Sequence, residues 1–225
     1  MGLEAPRTLS ARDVRDRKVD VLHAVGRLMR EAVERYTVCG RYGAGRTDAG
    51  DIPSYVDEEG VDPARGTETF AQITLYLDNW RWAGVPFVLR TGKALHSDRR
   101  EIAMHFKAVP YLPFEQEIAS TPNVLRLALD PHRVSLGIHI NGPGDPLILD
   151  YVELDTALAP QRPSAYGRLL LDVLRGDSAL SIWDDEMEES GRIVAPILDS
   201  WAQSRVPPLE YPAGSVGPIG SLHCP

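Results

Sequence analysis

Apolar and polar residues alternate along several short runs between residues 72 and 141, without a helix-like segment between one run and the next. The apolar members of these runs are Ile73, Leu75, Leu77, Ile102, Met104, Phe106, Leu125, Leu127, Leu129, Val134, Leu136, Ile138 and Ile140. A period of two is typical of strands buried on one face, and strands in close succession favour antiparallel pairing. The pattern predicts an antiparallel sheet with one apolar and one polar face, and it excludes a doubly wound parallel sheet.

Helical periodicity precedes and follows these runs. Residues 10–29 carry apolar positions at near-helical spacing behind Ser10, a suitable N-cap, and predict an amphipathic helix. A second helix is predicted over Tyr166–Leu174, where Gly176 can end it, and a third begins near Asp184. The acids that open the third helix are expected to be solvated, and they are Asp184, Asp185, Glu186, Glu188 and Glu189.

The remaining segments complete a single predicted domain over residues 1–225. Residues 33–42 have strand-like composition, residues 46–66 resemble a long surface loop, and residues 207–225 are predicted to run as an extended tail over the surface. The predicted fold class is therefore α+β, with a large, mainly antiparallel sheet and helices packed on one face.

Composition limits the classes of partner. The chain has 225 residues and a formal net charge of -8, and its basic residues are interspersed with acids, which argues against nucleic-acid binding. An anionic substrate would need a local basic pocket. The two cysteines, Cys39 and Cys224, predict neither a disulfide framework nor a zinc site. We find no signal pattern and no membrane-length apolar run, so we expect a cytoplasmic protein without a membrane partner.

The densest group of candidate functional residues lies between Asp78 and Lys93, where two strand-like runs flank a turn. Gly92 allows Lys93 to leave the strand end, where its ammonium can meet a phosphate or a sugar hydroxyl. An ordinary surface lysine beside a turn is the alternative interpretation. Asp78 and Arg90 are further candidate pocket residues.

The histidines are scattered, without the paired spacing of a zinc site. His105 and His139 lie on polar strand faces, where each suits either proton transfer or a structural hydrogen bond. His139 is kept as a candidate pocket residue. The sequence has no G-x-G-x-x-G loop between a strand and a helix, so the residues themselves predict no nucleotide site, and they assign no catalytic group.

The run Arg81-Trp82-Ala83-Gly84-Val85-Pro86-Phe87, followed by Arg90-Thr91-Gly92-Lys93, resembles the R-W-x-G-V-P-F and R-x-G-K signature of the glucose-6-phosphate dehydrogenase family. Further elements agree in order on both sides of it, among them Thr67-Glu68-Thr69-Phe70 and the segments 165–173 and 211–218. The resemblance covers nearly the whole chain.

This resemblance implies the C-terminal α+β domain of a two-domain enzyme that oxidises glucose 6-phosphate with NADP, built on a large sheet that also forms a dimer interface. It implies that the NADP-binding half and the catalytic histidine lie outside this sequence, so a partner polypeptide of the N-terminal type would complete the site. Lys93 matches the lysine of the family's sugar-phosphate pocket. Arg99 and Asp130 are the other expected substrate-side residues.

Several positions depart from the family pattern. Asp98 stands where the family has Lys or Arg, with Arg99 one step later, and Asp130 replaces a glutamine before a proline. Asn141 replaces a lysine after the next strand. These exchanges reduce the positive charge around inherited ligand positions.

Three hypotheses follow. In the first, the chain is the substrate-side and oligomerisation half of a family enzyme and is inactive alone. In the second, it is a repurposed freestanding domain that binds or transforms a different small ligand, such as one similar to a sugar phosphate, without NADP. In the third, it is a non-catalytic assembly subunit. The family signature favours the first hypothesis, while the departures at Asp98, Asp130 and Asn141 motivate the second.

Overall fold

The computed structural model describes residues 2–48, 50–107, 122–142, 149–159, 164–178, 181–203 and 206–218. The helices are α1 (Ala11–His23), α2 (Arg30–Tyr36), α3 (Ala165–Arg175) and α4 (Asp184–Ala202). The strands are β1 (Thr37–Gly43), β2 (Gly45–Thr47), β3 (Gly50–Ile52), β4 (Phe70–Tyr76), β5 (Pro86–Gly92), β6 (Glu101–His105), β7 (Val124–Leu129), β8 (His132–Asn141), β9 (Leu149–Ala157) and β10 (Leu209–Pro212). The described residues up to 97 and from 169 onward form a first compact unit, and those from 98 to 168 form a second.

The α+β class and the mainly antiparallel pairing are confirmed. The first unit contains a four-stranded sheet in the order β10-β1-β4-β5 and the short β2-β3 hairpin, and the second unit contains a four-stranded sheet in the order β6-β7-β8-β9. β1 pairs with β10 in parallel, whereas its other neighbour, β4, is antiparallel. The described strands therefore belong to separate sheets instead of one large sheet.

Apolar residues bury both faces of the first sheet. On one face, Leu75 and Leu77 pack with Val33 of α2 and with Ile193 and Ile197 of α4. On the other face, a second cluster contains Tyr42, Phe70, Tyr211 and Ala213. Gln72 and Thr74 are also buried, so the predicted polar, solvent-facing side of β4 is wrong. The predicted strand period of two is correct. Alternation along a single strand does not show, however, whether other segments bury both of its faces.

The first predicted helix is too long. Ser10 is its N-cap, as predicted, and accepts a hydrogen bond from the Asp13 amide at 3.2 Å. However, α1 ends at His23, and Val25 instead forms an antiparallel bridge to Leu77. Val25 stays buried because an extended segment against the sheet covers it as well as a helix would.

Two loop and strand predictions also need correction. Residues 33–36 belong to α2, and only from Thr37 is the chain a strand, because Val33 reaches the core from a helix as readily as from a strand. The predicted loop 46–66 contains most of the β2-β3 hairpin and two short 3-10 turns, Tyr55–Asp57 and Pro63–Arg65. Short polar strands such as these carry too few residues to show a period.

The predicted C-terminal surface tail is wrong for residues 209–218. β10 joins the first sheet, and Tyr211 is only 1% exposed. The Pro- and Gly-rich composition of this C-terminal segment indicated irregular backbone. However, burial of one large aromatic side chain, Tyr211, is enough to hold the segment in the core. Residues 219–225 of the predicted tail lie outside the described part of the chain.

The sheet of the second unit has the two faces that the alternation predicts. Val134, Leu136 and Ile138 of β8 share one face with Leu125 and Leu127 of β7, according to the strand register. β9, which the sequence interpretation missed, adds Val152 and Leu154 to this face, opposite Ile138 and Leu136. All of these side chains remain partly or fully exposed, with Leu154 at 57%. The structure thus shows an apolar sheet face that is not fully covered.

The two C-terminal helices are confirmed. Gly176, with φ +68°, follows α3 in the left-handed conformation expected of a helix C-terminus. α4 begins at Asp184, as predicted. None of the described helices is long and apolar enough to cross a membrane.

The acids at the start of α4 form ion pairs with α1, so the prediction that they are merely solvated is wrong for some of them. Arg15 donates to both carboxylate oxygens of Asp185, at 2.5–3.1 Å. Glu186, only 8% exposed, pairs with Lys18 at 3.4 Å. The Arg15 guanidinium lowers the pKa of Asp185 below its ordinary value of 3.8. These pairs join the two helices across the outside of the core.

We expect Asp185→Asn to lower the thermal unfolding midpoint by a few degrees at neutral pH and to change it little in strong acid. Because the pKa of Asp185 is lower in the folded than in the unfolded chain, its ion pair stabilises the fold above its ordinary pKa, 3.8, and that contribution is lost as the pH falls through the folded value. Thermal unfolding followed by circular dichroism at several pH values measures this. Asp20→Asn is the control, since Asp20 pairs with Arg17 inside α1. Equal losses in both variants would contradict the prediction.

Candidate functional site

Lys93 lies immediately after β5, and its backbone is held at both polar atoms. Its amide donates to the Thr69 carbonyl at 2.9 Å, and its carbonyl accepts from the Tyr211 hydroxyl at 2.8 Å. The side chain is exposed, and within the residues that the structure describes no group bonds to its ammonium. An unpaired cation on an anchored backbone is suited to bind an anion.

Gly92 and Ala94 determine how the chain turns at this point. A Cβ on Gly92 would lie 2.8 Å from the Phe70 ring and 3.0 Å from Leu95, so only glycine fits there without displacement. Ala94 has φ +49°, in the left-handed region. Its carbonyl accepts from the Gly214 amide at 2.8 Å. Gly92 does not have a positive φ, so close packing against Phe70 and Leu95, and not the predicted special backbone conformation, is what requires glycine here.

Tyr211 connects the C-terminal segment to the Lys93 turn. Its hydroxyl lies 2.8 Å from the Lys93 carbonyl, 3.2 Å from the Thr69 carbonyl and 3.1 Å from the Thr69 hydroxyl. Burial raises the pKa of Tyr211, which keeps the phenol protonated and able to donate. The sequence interpretation missed this residue because it assigned position 211 to a surface tail; the family-like 211–218 element was the signal available.

Arg90 holds the same C-terminal segment from the other side. Its guanidinium lies over the Phe70 ring at 5.2 Å and donates to the Val216 carbonyl. Gly217, with φ +103°, packs closely, since a Cβ there would lie 2.9 Å from Phe70. Arg90 is therefore engaged in a cation–π contact and a hydrogen bond, and it supports the site instead of offering a free charge.

Asp78 lies at the opposite end of the first sheet from Lys93. Phe70 pairs with Gly92 at one end of β4, and Tyr76 pairs with Pro86 at the other. The six residue-to-residue steps from Phe70 to Tyr76 separate these ends by roughly 20 Å of extended chain. Asp78 follows Tyr76 and is exposed. The structure does not bring Asp78 and Lys93 together.

Arg99 and Asp130 belong to the second unit. Arg100, the residue after Arg99, forms ion pairs with two of the acids that depart from the family pattern. Arg100 pairs with Asp98 at 3.1 Å and with Asp130 at 3.5 Å. Arg99 itself approaches Glu101 at 3.7 Å. The sequence interpretation weighed Asp98 and Asp130 as lost positive charge and overlooked Arg100, whose pairing with Asp130 depends on the adjacency of β6 and β7.

His139 lies far from Asp130 within the same sheet. It stands seven residues after His132 in β8, which places it roughly 23 Å from the strand end that Asp130 adjoins. Its Nδ1 is 3.0 Å from the Asn123 Oδ1, and its ring meets Tyr151 edge-on at 5.2 Å. His139 therefore makes a hydrogen bond and a ring contact, which agrees with the predicted alternative of a structural hydrogen bond.

Each unit also contains a shallow cavity. In the first unit, a cavity of about 280 Å³ is lined by Arg46, Thr47, Asp48, His96 and Gly214. In the second, a cavity of about 440 Å³ is lined by His105, Pro122, Val124, Arg126 and Tyr151. In the described ranges there is no cluster of three or more His, Cys, Asp or Glu residues suited to hold a metal ion.

Comparisons with known proteins agree on one family. The family description "Glucose-6-phosphate dehydrogenase, C-terminal domain" matches residues 1–223. Glucose-6-phosphate 1-dehydrogenase of Mycolicibacterium smegmatis is 40% identical over 97% of this chain and 45% of its own length, and that of Treponema pallidum is 37% identical over 97% and 44%. A solved glucose-6-phosphate dehydrogenase in complex with its substrate glucose-6-phosphate superposes with a TM-score of 0.81 at 31% identity, over 97% of this chain and 45% of the other. The chain thus spans less than half the length of these relatives.

We expect Tyr211→Phe to lower the free energy of unfolding by about 1 kcal/mol, because the ring packing is kept while the hydroxyl that binds the Lys93 carbonyl is lost. Urea unfolding followed by fluorescence measures the change. Tyr166→Phe, at a tyrosine 82% exposed, is the matched control and should change stability by less than about 0.5 kcal/mol. Equal effects of the two substitutions would show that the Tyr211 hydroxyl holds nothing.

Proposed function

The chain belongs to the glucose-6-phosphate dehydrogenase family, and from this membership we propose that it forms the sugar-phosphate side of an enzyme that oxidises glucose 6-phosphate with NADP. The observation that supports this most directly is Lys93, an exposed cation that pairs with no group in the described part of the chain and whose backbone is anchored by Thr69 and Tyr211. A compact ammonium at a fixed place suits the phosphate or a hydroxyl of the sugar.

The remaining chemistry of the reaction belongs, in this proposal, to the part of the relatives that this chain does not match. That part, more than half of each relative's length, would hold NADP and the proton acceptor. NADP supplies the hydride acceptor when bound. The role of this chain is to orient the sugar phosphate, because hydride transfer requires substrate and cofactor in contact. We therefore expect no activity from the chain by itself.

The ion pairs around Arg100 bear on the freestanding-domain alternative. Asp98 and Asp130 motivated that alternative as acids able to transfer protons. Both form ion pairs with the guanidinium of Arg100, at 3.1 and 3.5 Å. The pairing therefore supports a charge-balancing role for these acids, consistent with the first hypothesis.

We further propose that the chain forms a homodimer through the apolar face of the second unit's sheet. Leu154 is 57% exposed and Ile140 is 40% exposed on this face, which the register shows to be continuous across β7, β8 and β9. Large exposed apolar patches mark association sites, and an identical copy meets such a face about a two-fold axis.

We expect NADPH to form from glucose 6-phosphate only when this chain is mixed with the unmatched part of the Mycolicibacterium smegmatis relative, and we expect Lys93→Ala to lower kcat/KM of that mixture roughly 10- to 100-fold. The loss corresponds to one hydrogen bond to a charged group. Lys93→Arg should restore part of it. Steady-state NADPH formation measures both.

Lys107→Ala is the control for the Lys93 experiment, because Lys107 is also exposed. This variant should retain the activity of the mixture. If kcat/KM is unchanged in Lys93→Ala, or falls equally in Lys93→Ala and Lys107→Ala, the proposal that Lys93 binds the substrate is contradicted. An active chain without the added half would overturn the division of labour proposed here.

We expect Leu154→Glu to weaken self-association at least roughly 100-fold, since it places an unpaired charge in the proposed apolar interface. Sedimentation equilibrium measures the dimer dissociation constant. Ala157→Glu is the control, because residue 157 lies on the opposite face of β9, paired with Arg133. A wild-type chain that remains monomeric, or a dimer equally weakened by both variants, would contradict the proposed interface.

A further inference from the structure

Two cationic residues at one end of the first unit's sheet, Arg41 and Lys93, occupy equivalent positions two strands apart. Gly40 of β1 pairs with Phe70 of β4, and Phe70 pairs in turn with Gly92 of β5. Arg41 and Lys93 each follow one of these glycines, and β1 and β5 run in the same direction because both are antiparallel to β4. Two strand spacings separate their backbones by roughly 10 Å.

Both cationic side chains lie on the same face of this sheet. Tyr42 belongs to the second apolar cluster, and a Cβ on Gly92 would meet the Phe70 ring of that cluster at 2.8 Å. Because successive residues of a strand alternate between faces, Arg41 and Lys93 are directed to the opposite face. On that face Lys93 is exposed and Arg41 is half-buried.

Thr69 directly precedes β4, the strand between the two cations, but its side chain does not separate them. The Lys93 amide donates to the Thr69 carbonyl at 2.9 Å, so Lys93 continues the register of β5. The Thr69 hydroxyl accepts from the Tyr42 amide at 3.0 Å and lies 3.1 Å from the Tyr211 hydroxyl. The Thr69 side chain is therefore directed toward the second apolar cluster, away from the face that carries the cations.

The guanidinium of Arg41 is held at one of its three nitrogens. Its Nε donates to the Thr67 carbonyl at 2.9 Å. Glu210 is opposite Arg41 in the strand register, but its carboxylate lies over Gly43. Among the described residues, no group accepts from either Nη atom of Arg41 and no acid forms an ion pair with it. A guanidinium fixed in this way presents two donors that match two oxygens of a phosphate.

We propose that Arg41 is a second substrate-binding residue of this chain, and that Arg41 and Lys93 together bind the phosphate of the sugar phosphate. The inference rests on the proposed function and identifies which groups contact the phosphate. Arg41 supplies a pair of donors and Lys93 a compact ammonium. A backbone separation of roughly 10 Å leaves space for one phosphate between two such long side chains.

Glu68 is an acid close to this pair, and it provides a test of the sign of the interaction. Burial raises the pKa of the Cys39 thiol to about 11, and the Glu68 carboxylate adds to that rise whereas Arg41 opposes it. Both charges therefore lie near Cys39, two residues before Arg41. Because a carboxylate repels a phosphate, we expect Glu68→Gln to strengthen binding of the sugar phosphate roughly two- to fivefold at low salt.

Calorimetric titration of the full chain with glucose 6-phosphate, and separately with glucose, tests the proposal. We expect Arg41→Gln to weaken binding of glucose 6-phosphate roughly tenfold or more, which corresponds to the loss of one hydrogen bond to a charged group. Arg41→Lys keeps the charge and should retain part of the affinity. In the mixture with the unmatched half of the Mycolicibacterium smegmatis relative, Arg41→Gln should lower the ratio of kcat/KM for glucose 6-phosphate to that for glucose by the same factor, because glucose carries no phosphate.

Arg12→Gln is the matched control, because it removes the same charge at a distant position. Arg12 is exposed on α1 and has no ion pair in the part of the chain that the structure describes. Arg15, in the next turn, pairs with Asp185 at the start of α4. The other end of α4 contacts β1, where the Trp201 indole donates to the Thr37 hydroxyl at 3.0 Å. Most of the length of α4 therefore separates Arg12 from β1, and this variant should bind glucose 6-phosphate as wild type does.

The outcomes separate this inference from the proposed function. Weaker binding of glucose 6-phosphate to the Arg41→Gln chain, without NADPH formation in any mixture, would overturn the proposed function and leave the phosphate site standing. NADPH formation with an unchanged preference for glucose 6-phosphate over glucose in Arg41→Gln would overturn the role of Arg41 and leave the function standing. Equal losses in Arg41→Gln and Arg12→Gln, or a wild-type chain that binds glucose 6-phosphate no better than glucose, would also overturn the phosphate site.

Discussion

The position of Lys93 depends on the parallel pairing of β10 with β1. That pairing inserts Tyr211 beside Phe70 and Tyr42, and from there the Tyr211 hydroxyl reaches the Lys93 carbonyl. Arg90 donates to the Val216 carbonyl of the same segment, and Gly217 packs against Phe70. A strand more than a hundred residues away in sequence thus anchors the backbone that presents the cation. The charge is exposed, whereas Tyr211, whose hydroxyl binds the Lys93 carbonyl, is buried.

Within the residues that the structure describes, the apolar face of the second unit's sheet is only partly buried. The sheet face of the second unit is broad and suits a two-fold contact with an identical surface.

Local signals were read correctly where one element determines its own structure. The Ser10 N-cap, the α3 and α4 helices and the end of α3 at Gly176 follow from side-chain and backbone preferences within a few residues. The errors arose where distant segments decide the outcome. Val25 lies outside α1 and forms a bridge to Leu77, directly after β4, and Asp185 and Glu186 at the start of α4 pair with basic residues of α1.

The α+β class, the period-two strands and the place of Lys93 at the end of β5 can all be predicted from sequence, because they depend on periodicity and on residues adjacent in the chain. Which of the candidate cations already interacts with other groups of the protein depends on the tertiary structure. From sequence alone, Arg90, Arg100 and Lys93 are equivalent candidate cations. In the structure, Arg90 contacts the Phe70 ring and donates to the Val216 carbonyl, and Arg100 forms ion pairs with Asp98 and Asp130. Pairing of a charge depends on partners that strand register brings close, and register between distant strands cannot be read from either strand alone.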